Sequence, residues 1–168
     1  MNRARLRGKF ICEMWSPRGK THRLLERWES WNGICDAGIR DMFDQYFGGG
    51  SGRSWFLAPI SAADFVGVDN ENDTMSSHVG WSEVDSYDEA TRPAWGPDAT
   101  AGTIISNSVK VEMTINDAVD MQGMFVTSNS TKGGTTGILF STSVFDDIRS
   151  YQAGKVAKTI YQLQGLRG

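Results

Sequence analysis

The spacing of apolar and polar residues changes along the chain, and it predicts one helix followed by strands. Cys35, Ile39, Met42, Phe43, Tyr46 and Phe47 recur at intervals of three and four, which is the period of one helix face. The expected helix covers residues 33–47 and packs by that face on a sheet. Asn32 can cap it, Asp36 suits its first turn, and Gly48-Gly49-Gly50-Ser51-Gly52 stops it. From residue 54 the pattern shortens. Trp55-Phe56-Leu57-Ala58-Pro59-Ile60 is an apolar run suited to a buried strand, with Pro59 marking an edge or an end. Val109, Val111, Met113 and Ile115 alternate with polar residues, as a half-buried strand requires. Further strands are expected at 121–127, 137–141 and 156–163, with a short piece at Val144-Phe145. No regular alternation of strand and helix appears. The fold class this predicts is mainly β: an antiparallel β-sandwich, jelly-roll-like, with one packed α-helix.

Residues 64–98 fit neither period. They carry nine acidic residues and one basic residue, Arg92, together with Trp81 and Trp95. Two tryptophans among so many charges predict an ordered loop that packs on the body or on a neighbouring subunit. His78, beside Gly80-Trp81, is expected to tie down a loop carbonyl while the indole turns towards the body. Arg92 has Asp85, Asp88 and Glu89 as candidate partners, and Pro93 pre-orders the backbone before Trp95.

Composition sharpens this picture. Gly, Ser and Thr number 19, 16 and 12 of 168 residues, which disfavours a helical bundle. At this length a single domain can bury a core without disulfides or a metal. Charge adds an asymmetry. Residues 1–30 hold Arg3, Arg5, Arg7, Lys9, Arg18, Lys20, Arg23 and Arg27 against three glutamates, leaving the remainder acidic. With Phe10, Trp15 and Trp28 interspersed, residues 1–30 read as an extended basic N-terminal arm that docks on a partner. The competing reading is a disordered basic leader. Trp55 reads as core, whereas Trp15, Trp28, Trp81 and Trp95 divide between internal packing and subunit contact. Nucleic acid is an unlikely partner, because no groove-reading motif accompanies the charge and an acidic body repels phosphate.

No catalytic constellation emerges from the chemistry-bearing residues. Glu83, Asp85, Asp88 and Glu89 have no fixed separation and read as a solvated face. Asp69-Asn70-Glu71-Asn72-Asp73-Thr74 lacks the spacing of an EF-hand and reads as a loop rich in Asx turns. Cys12 and Cys35 read as small buried residues in a protein made in a reducing compartment, and their separation matches no zinc pattern. The glycine run after the helix is not a phosphate loop, since no strand precedes it. The expectation is a non-enzymatic protein with no cofactor, no metal and no membrane span.

Several strings resemble small structural proteins of tailed bacteriophages, of the head decoration or cement kind. They are Trp31-Asn32-Gly33-Ile34-Cys35-Asp36-Ala37-Gly38, the run Trp55–Ile60, Asp73-Thr74-Met75-Ser76-Ser77-His78-Val79-Gly80-Trp81, Thr91-Arg92-Pro93-Ala94-Trp95, and Gly123–Ser128 with Lys132–Ser141. The resemblance spans about residues 31–165. It implies a virion protein on the capsid surface, assembled in the host cytoplasm, that stabilises the shell. Its implied partners are the major capsid protein and neighbouring copies of itself, as a trimer. A tail, neck or fibre-attachment component is the alternative within the virion. A receptor- or glycan-binding module, with Trp81 and Trp95 as its platform, is the alternative outside that class.

Overall fold

Residues 5–166 are described by the computed structural model. In chain order they form β1 (Arg5–Trp15), β2 (Leu24–Ile34), α1 (Asp36–Tyr46), β3 (Trp55–Ser61), β4 (Ala94–Trp95), β5 (Ile104–Ser106), β6 (Val111–Thr114), β7 (Val119–Thr127), β8 (Leu139–Tyr151) and β9 (Val156–Leu166). Every strand pairing is antiparallel. The order across the sheet is β4-β3-β7-β8-β2-β1-β9-β5, with β6 also on β9.

The extended arm expected over residues 1–30 is corrected: residues 5–15 and 24–30 are sheet, joined by a short connection. β1 pairs with β9 from Arg5↔Leu166 to Trp15↔Val156, and with β2 from Gly8↔Asn32 to Trp15↔Leu24. The reason is a period of two within the charged run. Phe10, Cys12 and Met14 point into the core, while Arg5, Arg7 and Lys9 occupy the other face. Complete burial of Phe10 alone contributes about 1.5–3 kcal/mol, far more than a mobile leader would gain. Arg3 lies outside the described residues.

β2 joins the two halves of the sheet. Its residues 24–32 follow β1, and only Gly33 and Ile34 pair with β8, opposite Thr142 and Ser141. The sheet therefore curls into a half-barrel around one core. Phe10, Met14 and Trp28 from one half meet Leu57, Met124, Val126 and Phe140 from the other. Because β2 runs to Ile34, the helix begins at Asp36 and not at residue 33. Cys35 occupies the cap position, without a side-chain cap bond, and Asn32 stays in the strand.

The other face of β3, β7 and β8 is also covered. Ala58, Ile60, Phe125 and Leu139 form a second core with Met75 and Trp81 from the acidic loop, and with Cys35. Burial on both faces explains why β3 and β7 read as unbroken apolar runs. The pieces expected at 137–141 and 144–145 are one 13-residue strand, β8. Gly123 in β7 is required where it is, because a Cβ there would lie 2.0 Å from the Ser143 carbonyl oxygen.

Candidate functional site: the mouth under α1

Helix α1 lies over the open end of the half-barrel and packs chiefly on β8. Gly38 is its point of closest approach; a Cβ there would stand 2.5 Å from the Phe140 carbonyl oxygen. That contact fixes the roll of the helix. The face turned inward carries Gly38, Asp41, Met42 and Gln45, at spacings of three and four. The aromatic face expected to pack is instead outward. Phe43 is 57%, Tyr46 82% and Phe47 77% exposed, with Tyr46 edge-on to Phe47 and Phe43 tilted against it along the ridge.

Rolled this way, α1 does not seal the mouth. A cavity of about 580 Å³ opens between its C-terminal half and the sheet, walled by Met42, Phe47, Trp55, Trp95, Phe140 and Leu163. A second apolar cleft, about 470 Å³, runs along the other side of the helix past Leu6, Ile39 and Leu166. Asp41, Gln45 and Arg53 are among the polar side chains that line the larger cavity. Asp41 is 5% exposed; its Oδ1 accepts a 2.7 Å hydrogen bond from Arg53 Nε, while its buried Oδ2 has no partner. Gln45, one turn further on, also has a buried and unpartnered Oε1. Trp95 Nε1 does not serve these acceptors, because it donates to Asn107 Oδ1 and the Tyr161 carbonyl.

The acidic loop makes a different kind of site. Arg92, 1% exposed, donates two hydrogen bonds to Glu83, at 2.9 and 2.7 Å, and two more to the carbonyls of Asn129 and Gly134. Its partner is thus Glu83, which corrects the expected choice among Asp85, Asp88 and Glu89. The bidentate geometry selects it. Glu89 instead accepts the Thr114 N–H. His78 Nδ1 is 3.0 Å from the Trp81 carbonyl oxygen, with its ring stacked on the indole, and Trp81 Nε1 donates to Asp73 Oδ2. Asp69 holds its loop through Asn72 and the Glu71 N–H, contacts that keep its carboxyl below the usual range. Among the described residues no group of three potential metal ligands converges, and no helix is long and apolar enough to cross a membrane.

The residues of the expected arm are dispersed over the sheet. Trp28 is internal, edge-on to Phe145 and under the Arg149 guanidinium. Trp15 is half-buried, stacked with His22, and donates to Glu13. Arg18 pairs with Glu112 and Lys9 with Glu29, while Lys20, Arg23 and Arg27 are exposed. Arg7 stacks on Trp31, which is half exposed. Burial pushes Glu13 up, but bonds from Lys110 and Trp15 outweigh it and hold the carboxyl below its ordinary value. Burial raises the Cys12 and Cys35 thiols to about 12, so neither is a nucleophile at neutral pH.

Sequence reasoning missed Phe43, Tyr46 and Phe47 as surface, and Asp41 and Gln45 as cavity-lining. The available signal was Gly38. A mid-helix glycine costs about 1 kcal/mol, and the residues sharing its face are 41, 42 and 45. No family model matches the chain, and neither curated proteins nor solved structures offer a match.

Proposed function

We propose that this chain is a non-enzymatic structural protein of a tailed-phage virion, and that it docks on the capsid shell through the mouth under α1. The observation that carries the docking role is the aromatic ridge Phe43-Tyr46-Phe47, exposed beside an unfilled apolar cavity. Clustered exposed aromatics bordering an apolar pocket are what protein interfaces use as anchors. The virion setting is supported by the strings that resemble decoration and cement proteins. The shell's major capsid protein is the partner, with neighbouring copies of the chain completing a trimer, and stabilisation follows from many modest contacts acting together. In this reading the curled sheet functions as a jelly-roll-like sandwich, with its edges buried in the assembly.

The glycan-binding alternative loses its platform, since Trp81 and Trp95 are both internal. Quantitative mass spectrometry of purified particles tests the proposal. Hundreds of copies per particle are expected; six or twelve would move the protein to the tail or neck, and absence from the particle would refute the virion role.

A further inference from the structure

We infer that copies of this chain bind one another through a basic aromatic patch, Trp31 with Arg7, which docks in an acidic groove at the start of β7 on the neighbouring copy. This rests on the self-association proposed above and supplies its two surfaces.

The fold leaves charge of both signs unneutralised. Side chains of β1 and β2 that do not enter the core share one outer face, and the register Lys9↔Trp31 sets the indole among the cations of β1. The Arg7 guanidinium lies 3.8 Å from the centroid of the Trp31 ring and Lys9 Nζ 5.3 Å from it. Trp31 is still 50% exposed. Lys9 is paired with Glu29, but Arg5, Arg7 and Arg27 are exposed and enter no ion pair among the described residues. An exposed tryptophan carrying a stacked arginine has the composition of an interface anchor.

The opposite charge collects on the other half of the sheet. An open groove of about 450 Å³ is lined by Ala63, Val84, Val119 and Ile148, together with Asp85 and Asp120. Asp64 and Asp117, next in sequence to lining residues, are exposed as well. None of these four aspartates enters an ion pair among the described residues. Glu83 also lines the groove but is engaged by Arg92, and Lys132 donates to the Asp85 and Tyr87 carbonyls.

The groove calls for a cationic occupant with apolar surface, and the patch calls for an acidic, partly apolar one. A second copy of the chain meets both requirements at once. Duplex DNA would suit the patch and leave the groove empty. Patch and groove share no residue, so each copy offers one of each, and a closed ring such as the trimer leaves none unfilled.

Sedimentation velocity of the full-length protein tests this. An oligomer is expected to form as concentration rises, with affinity falling at least about tenfold between low and high salt. This salt series reads the wild type alone and does not depend on any variant folding. Arg7→Ala with Trp31→Ala, and Asp85→Lys with Asp120→Lys, alter exposed side chains and should both melt close to the wild type. Each double variant should stay monomeric where the wild type associates. Mixed in equal amounts they should form a complex of dimer mass, because one supplies the groove and the other the patch.

A wild type that is monomeric at every salt concentration would overturn the interface, whether or not it binds duplex DNA. So would an assembly that salt does not weaken, one that both variants retain, or folded variants that stay monomeric when mixed. Each of these results leaves the virion role to be judged by copy number in the particle. Conversely, patch-to-groove association in a protein absent from particles would keep the interface and remove the virion reading.

Discussion

The half-barrel has two covers, and they are built on opposite principles. Over β3, β7 and β8 lies the acidic loop. It inserts Met75 and Trp81 into a second core, and its buried charges are paired: Arg92 with Glu83, and Asp73 with the Trp81 N–H. One group there, Tyr87 Oη, lacks a partner. Over the open end lies α1, which turns Asp41 and Gln45 inward, leaves two acceptors without donors and shows its aromatics to solvent. Charge does not tell these covers apart, since both are acidic. Satisfaction does. A cover whose polar groups are paired within the chain is part of the fold, and one that leaves acceptors and aromatic surface open is suited to being completed from outside.

Breaking the loop cover should have the largest effect on stability. Arg92→Ala removes the donor of the Asn129 and Gly134 carbonyls and leaves the buried Glu83 carboxylate with the Gly133 N–H but no charged partner. The expected loss is about 3–5 kcal/mol, which calorimetry would record as a fall in Tm of roughly 6–20 °C. Combining it with Glu83→Leu should recover much of that loss. A single variant that melts with the wild type would mean that the loop is held by its apolar contacts alone.

Next in size is the ion pair on the outer face of β1. Glu13→Gln weakens the bonds from Lys110 and Trp15 and should cost about 1.5–3 kcal/mol at neutral pH. The pH dependence has a definite sign. The folded carboxyl titrates below its unfolded value of 4.5, so its contribution is present above that pH and is lost as the pH falls through the folded value. Acid melting curves of wild type and Glu13→Gln should therefore converge below pH 4.5. Parallel curves would remove Glu13 from the acid transition.

The thiols act only at the alkaline end and leave stability at neutral pH untouched. Burial raises Cys12 from 9.0 to about 12, so its contribution to stability is complete below pH 9 and disappears as pH rises towards 12. At pH 8 neither cysteine should react with a disulfide reagent until the protein unfolds. Rapid labelling of the native protein would show that one of the two cores opens.

The two covers also differ in how far they could be read from sequence. An ordered acidic loop with its tryptophans was legible, because Trp81 and Trp95 among so many charges demanded burial. Arg92 was recognisable as the residue with most at stake, but its partner was not. Glu83 is selected by the bridge between Ile60 and Glu83 that aligns the loop on β3, which is a tertiary fact. Helix α1 was legible, but only the Cys35 and Met42 part of its expected face packs inward, while Phe43, Tyr46 and Phe47 stay exposed. Hydrophobic periodicity assumes that the apolar face packs inward, whereas the backbone contact at Gly38 overrides it. The basic arm failed for a related reason. Counting charges over thirty residues hid the alternation that places Phe10, Cys12 and Met14 on one side and Arg7 and Lys9 on the other. The 33–34 crossover that curls the sheet leaves no local mark at all.

The smallest effect on stability is expected at α1, and there the covers can be separated outright. Phe43, Tyr46 and Phe47 are exposed, so replacing all three with serine should shift Tm by no more than about 6 °C. On the proposed virion reading, the same variant mixed with purified phage shells that lack the protein decides whether the open cover is the docking surface. The account predicts that it stays in the supernatant on sedimentation while the wild type pellets with the shells. A folded triple variant that still sediments with the shells as the wild type does would contradict it.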